Sequence, residues 1–321
     1  MIKIKKFKET DAEFRELARI DNLVNHDSIY HPDDDKREWK IRDRSIVRNR
    51  LLLYKDSTLI GAMYYSQGRA ENSRTTFFTL NIDPNFNTQE CREVLYNKML
   101  KEIKLFDSNK ILTSVYEHPN YDKLKKFLIE NKFKLVQTNR EYSCDITKIN
   151  LEDYRPLIKK LESEGIQFYD SRDEMSNWPE HFKKLEELEW IYSQDFPIPD
   201  GIKHTRKPFD EFMKDCLDFH KNCYGTEIVA VKDKKYIGST NVYLYPKAEP
   251  HKGWTSGLGV LREFRRKGIA TALKIKAIQS LLQRGVTEVR TDNEENNPMY
   301  KINVDLGFTP VPFSLEYMKD L

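Results

Sequence analysis

The stretch Val260-Leu261-Arg262-Glu263-Phe264-Arg265-Arg266-Lys267-Gly268-Ile269-Ala270 constrains this chain more than any other. An apolar segment ends at Val260, a short basic turn and a glycine follow, and an amphipathic run extends from Ile269 to Leu282. That is the pattern of a strand, a turn and a helix. Such a turn aims backbone N–H groups at whatever sits above it, and the positive end of the helix macrodipole adds to them. Arg262, Arg265, Arg266 and Lys267 contribute formal charge. The natural guest is a pyrophosphate.

Gly285 precedes a second apolar strand, Val286 to Arg290, and then comes Asn296-Asn297-Pro298-Met299-Tyr300-Lys301-Ile302-Asn303-Val304-Asp305-Leu306-Gly307-Phe308. Arg265-x-x-Gly268-x-Ala270 resembles the Gln/Arg-x-x-Gly-x-Gly/Ala signature of the GNAT superfamily of N-acetyltransferases. The later segment resembles that family's next motif, a helix ending in Leu-Gly-Phe. The hexapeptide alone fits a basic turn capping a surface helix, with Gly307 as a helix C-cap. The order and spacing of both motifs carry the resemblance, which is close over residues 220 to 310 and looser elsewhere.

With 321 residues, 39% hydrophobic and 33% charged, the chain suits a globular protein and is long for a single core. At ~150 residues per domain, about two are expected. A net charge of +3 is too mild for a nucleic-acid-binding domain, and Lys and Arg interleave with Asp and Glu as on a solvated surface. Cys91, Cys144, Cys216 and Cys223 show no Cys-x-x-Cys spacing and no accompanying His cluster. Neither a zinc site nor a disulfide framework is expected. No run approaches the length of a membrane-spanning helix, and Met1 to Phe7 is basic and lacks the apolar core of a signal peptide. A cytoplasmic protein without a membrane or nucleic-acid partner is expected, with monomer or homodimer left open.

Two series of elements can be read along the chain. In the first, Ile2 to Lys5 alternates as a strand, and Thr10-Asp11-Ala12-Glu13 forms a capping box for a helix carrying Phe14, Leu17 and Ala18. Leu51 to Tyr54 and Leu59 to Tyr65 make a hairpin, Thr75 to Ile82 a strand, and Glu90 to Phe106 a helix with Val94, Leu95, Met99 and Leu105 as candidate core. Ile111 to Val115, Tyr121 to Asn131 and Phe133 to Asp145 follow as strand, helix and strand. The second series has a strand at Ile166 to Tyr169 and a helix at Glu180 to Tyr192 with Pro179 suited to its first turn. A short helix at Phe209 to Phe219 and a hairpin from Glu227 to Tyr245 come next, and then the elements from Trp254 to Met318. Phe127 to Phe133 and Asn303 to Phe308 are matching helix-to-strand corners.

This internal repeat sets the expected fold class: α/β in the mixed α+β sense, with two tandem GNAT-like domains. Each would be a mixed, mostly antiparallel sheet flanked by helices. Residues 1–148 form the expected N-terminal domain and 149–321 the C-terminal one. One large α+β domain is the alternative. The first half lacks the basic glycine turn, with Asn81-Ile82-Asp83-Pro84-Asn85-Phe86-Asn87-Thr88-Gln89-Glu90 in its place. That segment has no glycine, Arg or Lys, and Asp83 and Glu90 would repel a pyrophosphate, so this domain is expected to be degenerate.

The resemblance implies acetyl-CoA as acyl donor, with no metal. It implies that backbone N–H groups of Arg266, Lys267, Gly268, Ile269, Ala270 and Thr271 cradle the pyrophosphate, screened by Arg265, Arg266 and Lys267. Leu258, Gly259 and Val260 would lie beside the pantetheine, with the Val260 N–H donating to the thioester carbonyl. Asn296 and Asn297 would contact the coenzyme or cap the helix at Pro298, or both. Many family members carry a tyrosine where this chain has Asn303. Asn303 could at most hydrogen-bond the sulfur, and Tyr300, one turn earlier, could substitute or be ordinary packing.

Glu189, Asp195, His251 and Glu263 are the candidates for a base, each also readable as a solvated surface group. Asp195 opens an irregular loop expected to cover the cleft. His26 to Asp35 contains metal-ligand residue types without ligand spacing, and reads as an exposed acidic loop. Trp178, Trp190, Tyr192, Phe196 and Trp254 could line a pocket, although aromatics are mostly core.

The function expected is an acetyl-CoA-dependent N-acetyltransferase acting directly on the primary amine of a small molecule. Its layout is similar to that of mycothiol synthase-like tandem enzymes, whose substrate does not carry over. A non-catalytic acyl-CoA-binding regulator and a protein or peptide acetyltransferase are the rivals.

Overall fold

A computed structural model describes every residue except His26, Tyr224 and Pro298. The first half of the chain runs β1 (Ile2–Lys6), α1 (Asp11–Val24), α2 (Pro32–Ile41), β2 (Arg48–Lys55), β3 (Thr58–Gln67), β4 (Thr75–Ile82), α3 (Gln89–Ile103), β5 (Lys110–Tyr116), α4 (Asp122–Glu130) and β6 (Lys134–Asp145). The second runs α5 (Arg155–Ser163), β7 (Ile166–Asp170), α6 (Ser171–Glu174), α7 (His181–Ser193), α8 (Phe209–Asp218), β8 (Thr226–Lys232), β9 (Lys235–Tyr245), β10 (Glu249–Val260), α9 (Ile269–Gln283), β11 (Glu288–Glu294), α10 (Tyr300–Asp305) and β12 (Thr309–Asp320).

Local chemistry accounts for several boundaries. The Thr10 side chain accepts from the Glu13 N–H while Glu13 reaches back, closing the capping box of α1. The Asp33 to Asp35 run is not an exposed loop. His31 caps α2, Pro32 stands at its start, and the three acids fill the first turn, where the helix dipole favours negative charge. Asp34 is buried and Asp35 takes both ends of the Arg50 guanidinium. His26 lies outside the described residues.

Glu180 takes a left-handed conformation just before α7, so Pro179 precedes the helix and does not stand in its first turn. Leu95 and Met99 are core, but Leu105 is 87% exposed. The α3 helix ends at Ile103 and tightens into a 3₁₀ turn that carries Leu105 outward.

Two compact units result: Met1–Asn139 with Ile198–Thr205 and Pro312–Leu321, and Arg140–Pro197 with Arg206–Val311. They interleave in sequence, whereas the expected domains 1–148 and 149–321 are each continuous. In the first unit the strand order is β1-β2-β3-β4-β5-β12. The pairs are antiparallel except β4 with β5, and β12 closes the sheet through the register Ser314↔Tyr116 to Asp320↔Lys110. In the second, the order is β6-β11-β10-β9-β8-β7, with β10 and β11 parallel and β7 to β10 antiparallel.

Each unit has its own core. Leu95, Met99, Ile103, Phe127 and Leu128 anchor the first. In the second, Ile269, Ala272, Leu273, Ile275 and Leu281 of α9 pack on Ile228, Ala230 and Ile237. The segment after α7 is held in the first unit, where Asn72 and Lys203 exchange hydrogen bonds of 2.7 and 3.0 Å and Lys110 Nζ donates to Gly201 O at 3.0 Å.

Leu315 and Tyr317 of β12 are buried in the first unit's core. Deleting Pro312–Leu321 removes them and the β5 pairing. The expected outcome is loss of amide protection along β5 in hydrogen exchange and a lowered first melting transition. Unchanged protection of Ile111 to Val115 would contradict it.

Candidate acyl-transfer site

The site of the second unit is built where β10 and β11 part. These parallel strands pair only at Lys252↔Glu288, Gly253↔Val289 and Trp254↔Arg290. Just beyond, β10 gains one residue against β9: Thr255 faces Val242 and Gly257 faces Asn241, leaving Ser256 as the extra residue of a β-bulge. From there β10 continues along β9 through Leu258↔Thr240, Gly259↔Ser239 and Val260↔Gly238.

Hydrogen bonding alternates along an antiparallel pair. Since the Leu261 N–H donates to Ile237 O at 2.9 Å, Leu261 and Gly259 face β9, and Leu258 and Val260 turn their N–H groups to the opened side. The Val260 carbonyl agrees, because it accepts from Arg265 Nε at 2.8 Å.

The basic turn follows directly. Arg262–Phe264 is a 3₁₀ turn, Arg266 has φ 62° and Gly268 has φ 85°. Gly268 caps α9 without any side-chain bond, and the first intrahelical bond is from the Ala272 N–H to Gly268 O at 3.0 Å. The N–H groups of Ile269, Ala270 and Thr271 are therefore left without an intrahelical acceptor. A Cβ at Gly268 would lie 2.7 Å from Leu157 Cδ1, a side-chain end that can shift, so it is the left-handed dihedral that calls for glycine.

The cations do not all point the same way. Asp195 binds the guanidinium groups of both Arg262 and Arg265. Arg265 thus braces the turn, and Arg266 and Lys267 remain as the flanking charges, Lys267 lying 5.3 Å from the Phe264 ring centroid.

The other face of β9 and β10 is covered by α7. Gly259 lies beneath the Tyr192 ring, which a Cβ there would meet at 2.1 Å, and Tyr192 OH bonds Ser239 Oγ at 3.1 Å. Glu227, Asn241 and Gly257 form a row across β8, β9 and the bulge. Glu189, one turn before Tyr192, is half-buried and within electrostatic range of Glu227 in this row.

The candidate bases separate by environment. Burial, then the charges of Glu227 and Glu186, hold Glu189 well above the usual carboxylate range, against the opposing pull of Lys207. Hydrogen bonds from Arg262 and Arg265 hold Asp195 well below it. Glu263 is lowered by its bond to Lys235 and is exposed. His251 is exposed on β10. Of the three carboxylates, Glu189 alone has the environment of a base working near neutral pH.

The remaining candidates are placed as follows. Asn303 is buried and its Nδ2 donates to Asn293 Oδ1 on β11 at 2.7 Å, while its own Oδ1 has no partner among the described residues. Tyr300 is 36% exposed, with Arg140 5.8 Å from its ring centroid, as surface packing would have it. Asn296 bonds Glu294, and Asn297 Oδ1 accepts from the Met299 N–H at 3.0 Å in a cap-like contact. Pro298 lies outside the described residues. Among the aromatics, Tyr192 is buried, Trp178 is half-buried with its ring 4.8 Å from that of Tyr169, and Phe196 is exposed. The sequence singles out none of Glu227, Ser239 and Asn241, and Tyr192 only as a pocket-lining aromatic. The one available signal was an acid, Glu227, opening an otherwise apolar strand.

Residues 185–304 match the Acetyltransferase (GNAT) family. No curated protein matches the sequence. Among solved structures, a tandem GNAT protein from the clavulanic acid biosynthesis pathway is similar at 15% identity and TM-score 0.77, covering 100% of this chain and 98% of that one. A GCN5-related N-acetyltransferase from Sphaerobacter thermophilus is similar at 13% identity and TM-score 0.72, over 99% and 95%. A GNAT-family acetyltransferase from Colwellia psychrerythraea is similar at 14% identity and TM-score 0.60, over 99% and 100%. An acetyltransferase domain of the GNAT type therefore lies within residues 185–304. The fold of the chain as a whole is that of tandem GNAT proteins.

Among the described residues no group of His, Cys, Asp and Glu is arranged to hold a metal ion, and no helix is long and apolar enough to cross a membrane.

Gly268→Val should weaken acetyl-CoA binding by roughly tenfold or more in isothermal titration, given a left-handed dihedral that costs an L-residue about 1–2 kcal/mol. Glu90→Ala, in the corresponding turn of the first unit, should leave the affinity unchanged. Retained affinity in the first variant would remove Gly268 from the site.

Proposed function

We propose that the protein is an acetyl-CoA-dependent N-acetyltransferase acting on the primary amine of a small molecule by direct transfer. The observation that carries this is the opened end of β10, with the Val260 N–H turned into the gap and the N-terminus of α9 one basic turn away. The residues present fit the donor. A glycine cradle, free helix N–H groups, Arg266 and Lys267 suit a pyrophosphate. The gap between β10 and β11 suits an extended pantetheine arm. The bound donor supplies an acetyl thioester.

The chain's own residues supply the rest. The Val260 N–H is a fixed donor for the carbonyl oxygen, worth on the order of 3 kcal/mol where charge develops. Glu189 takes the proton from the acceptor ammonium, so that a neutral amine can attack. Tyr192, whose phenol is raised by burial and by Glu189, stays protonated and can donate. Asn303 is tied to Asn293 and gives up no proton. Tyr300 is not needed. A half-buried Glu189 in electrostatic range of a buried Glu227 favours a slender amine over a broad protein surface.

The first unit does not hold the donor in this proposal. Its β4 and β5 also part after Phe77↔Leu112, but Thr88 caps α3 through the Cys91 N–H and Asp83 closes the turn on Asn85. In the row matching the acceptor face, Arg50 is held by Asp35 and ringed by Phe7, Phe14, Trp39 and Tyr64, while Asp21 takes bonds from Tyr64 and Asn81. Its own side chains fill the place. Four cysteines outside any disulfide support a reducing, cytoplasmic setting.

Titration with acetyl-CoA, followed by mass spectrometry on a pooled amine library, tests the proposal. One-to-one binding with an acetylated product supports it, and binding without product favours the regulatory reading. Glu189→Gln should lower kcat by about a hundredfold or more with acetyl-CoA affinity retained. In the wild type, kcat/KM should rise with pH through the elevated Glu189 titration, because only the ionised carboxylate accepts a proton. A flat profile in that range would remove Glu189 as the base.

A further inference from the structure

The first unit has an opening of its own, lined by different chemistry from the donor site of the second. Its β4 pairs with β5 no further than Phe77↔Leu112, while β4 itself runs on to Ile82. Between that parted end, the first turns of α3 and the start of α4 lies a cleft of about 260 Å³, mouth included. Pockets for drug-sized ligands begin at roughly 300 Å³, so a guest here is smaller than that. Val24 of α1, Leu80 and Ile82 of β4 and Leu124 of α4 make its apolar wall, and Asn87 and Arg92 stand at its polar end.

Arg92 sets the chemistry of the cleft. It is 9% exposed. Its Nη1 donates to the Asn87 backbone carbonyl at 3.3 Å and to the Asn87 side-chain oxygen, and its Nε is buried with no hydrogen-bond partner among the described residues. The Phe127 ring, 5.8 Å away, adds a cation–π contact. Among the described residues no carboxylate lies within ion-pair distance: Glu130 and Glu93 act on the guanidinium only from further off. Asp83, in the preceding turn, is engaged by Arg19 and by the Asn85 N–H. Other enclosed guanidinium groups of this chain have acids against them, Arg50 with Asp35 and Arg284 with Asp170. A buried charge without a counter-charge is destabilising, and an anion that supplies one relieves it.

The two units differ at this position. Counting from the helix caps, Thr88 of α3 matches Gly268 of α9, so Arg92 stands where the second unit has the buried Ala272. A guanidinium in place of a methyl group narrows the opening and gives it positive charge.

We propose that this cleft binds a short-chain monocarboxylate, its carboxylate on Arg92 and its alkyl tail against Leu80, Ile82 and Leu124. Charge and size select that class. One guanidinium balances one negative charge, whereas inorganic phosphate carries more than one near neutral pH and would leave the excess among apolar side chains. A carboxylate also matches a guanidinium in plane and donor spacing. The apolar wall rewards a few methylenes, and the volume limits the tail to about that length. Asn120 Nδ2 donates to Val24 O at 2.8 Å and so ties the α4 side of the cleft to α1. The site needs neither acetyl-CoA nor an amine and stands apart from the proposed acetyl transfer. A guest bound only by the folded chain stabilises it by mass action.

The test uses the full chain, with butyrate as probe, butyramide as its uncharged isostere and inorganic phosphate as an anion without a tail. In protein labelled with ¹⁵N-arginine, butyrate should shift the Arg92 Nε resonance saturably, with a Kd on the order of 1 mM, and should raise the melting temperature. Butyramide and phosphate should bind roughly tenfold more weakly or worse. Arg92→Met, which keeps length and removes charge, should abolish butyrate binding and identifies the resonance by its loss. Leu124→Phe, which keeps the arginine and takes up tail space, should weaken butyrate more than acetate. If either variant fails to fold, the three ligands on the wild-type chain still decide. An equal response to butyramide, a preference for phosphate, or no saturable shift at Arg92 each overturns the proposal. Displacement of butyrate from Arg92 by acetyl-CoA would make the cleft a second coenzyme site, overturning it together with the reading that the first unit does not hold the donor.

Discussion

Between Trp254 and Thr255, β10 stops pairing with β11 while it goes on pairing with β9. A strand released on one edge presents unpaired N–H groups, which ordinarily must be covered or satisfied. Here the extra residue Ser256 changes which groups face the gap, and Gly257 and Gly259 keep the strand thin enough for Tyr192 to lie on it. The opened edge is continuous with the basic turn and the bare N-terminus of α9. The proposed donor cradle, carbonyl-facing N–H and acceptor face all depend on that single parting.

Electrostatics then divides labour among the acids. Asp195 lies against two arginines and is an ionised brace for the turn. Glu189 has lost most of its water and faces another acid, so its proton affinity rises. Glu227 is bonded to a histidine, which links it to the interior. Three carboxylates in one unit thus have three different environments, set by neighbours and not by residue type.

The proposed donor half of this site was legible in the sequence because it is local. The spacing from Val260 to Ala270 fixes strand, turn and helix together, and α9 begins at Ile269 as its pattern requires. The proposed acceptor half was not, because Glu189 and Tyr192 of α7, Glu227 of β8 and Ser239 and Asn241 of β9 come from separate elements that meet only in the folded chain. Glu189 stood among four equal candidates until burial distinguished it. The acidic run at Asp33 to Asp35 misled as a loop because its composition is that of solvated chain, whereas His31 and Pro32 turn it into a helix start. Leu105 looked like core by period and emerged exposed because α3 tightens one turn early. The interleaving of the two units has no local signature, since nothing in β12 itself names β5 as its partner.

That interleaving has a consequence during synthesis. β5 ends at Tyr116, and the strand that completes its pairing ends at Asp320. At roughly 5–20 residues per second on the ribosome, that gap lasts on the order of ten seconds or more. For that interval the amino-terminal sheet has a raw edge, exposing hydrogen-bonding groups and the apolar faces that Leu315 and Tyr317 later cover. The first part of the chain to be made is therefore among the last to finish folding, and it is the part a nascent-chain chaperone would be expected to hold.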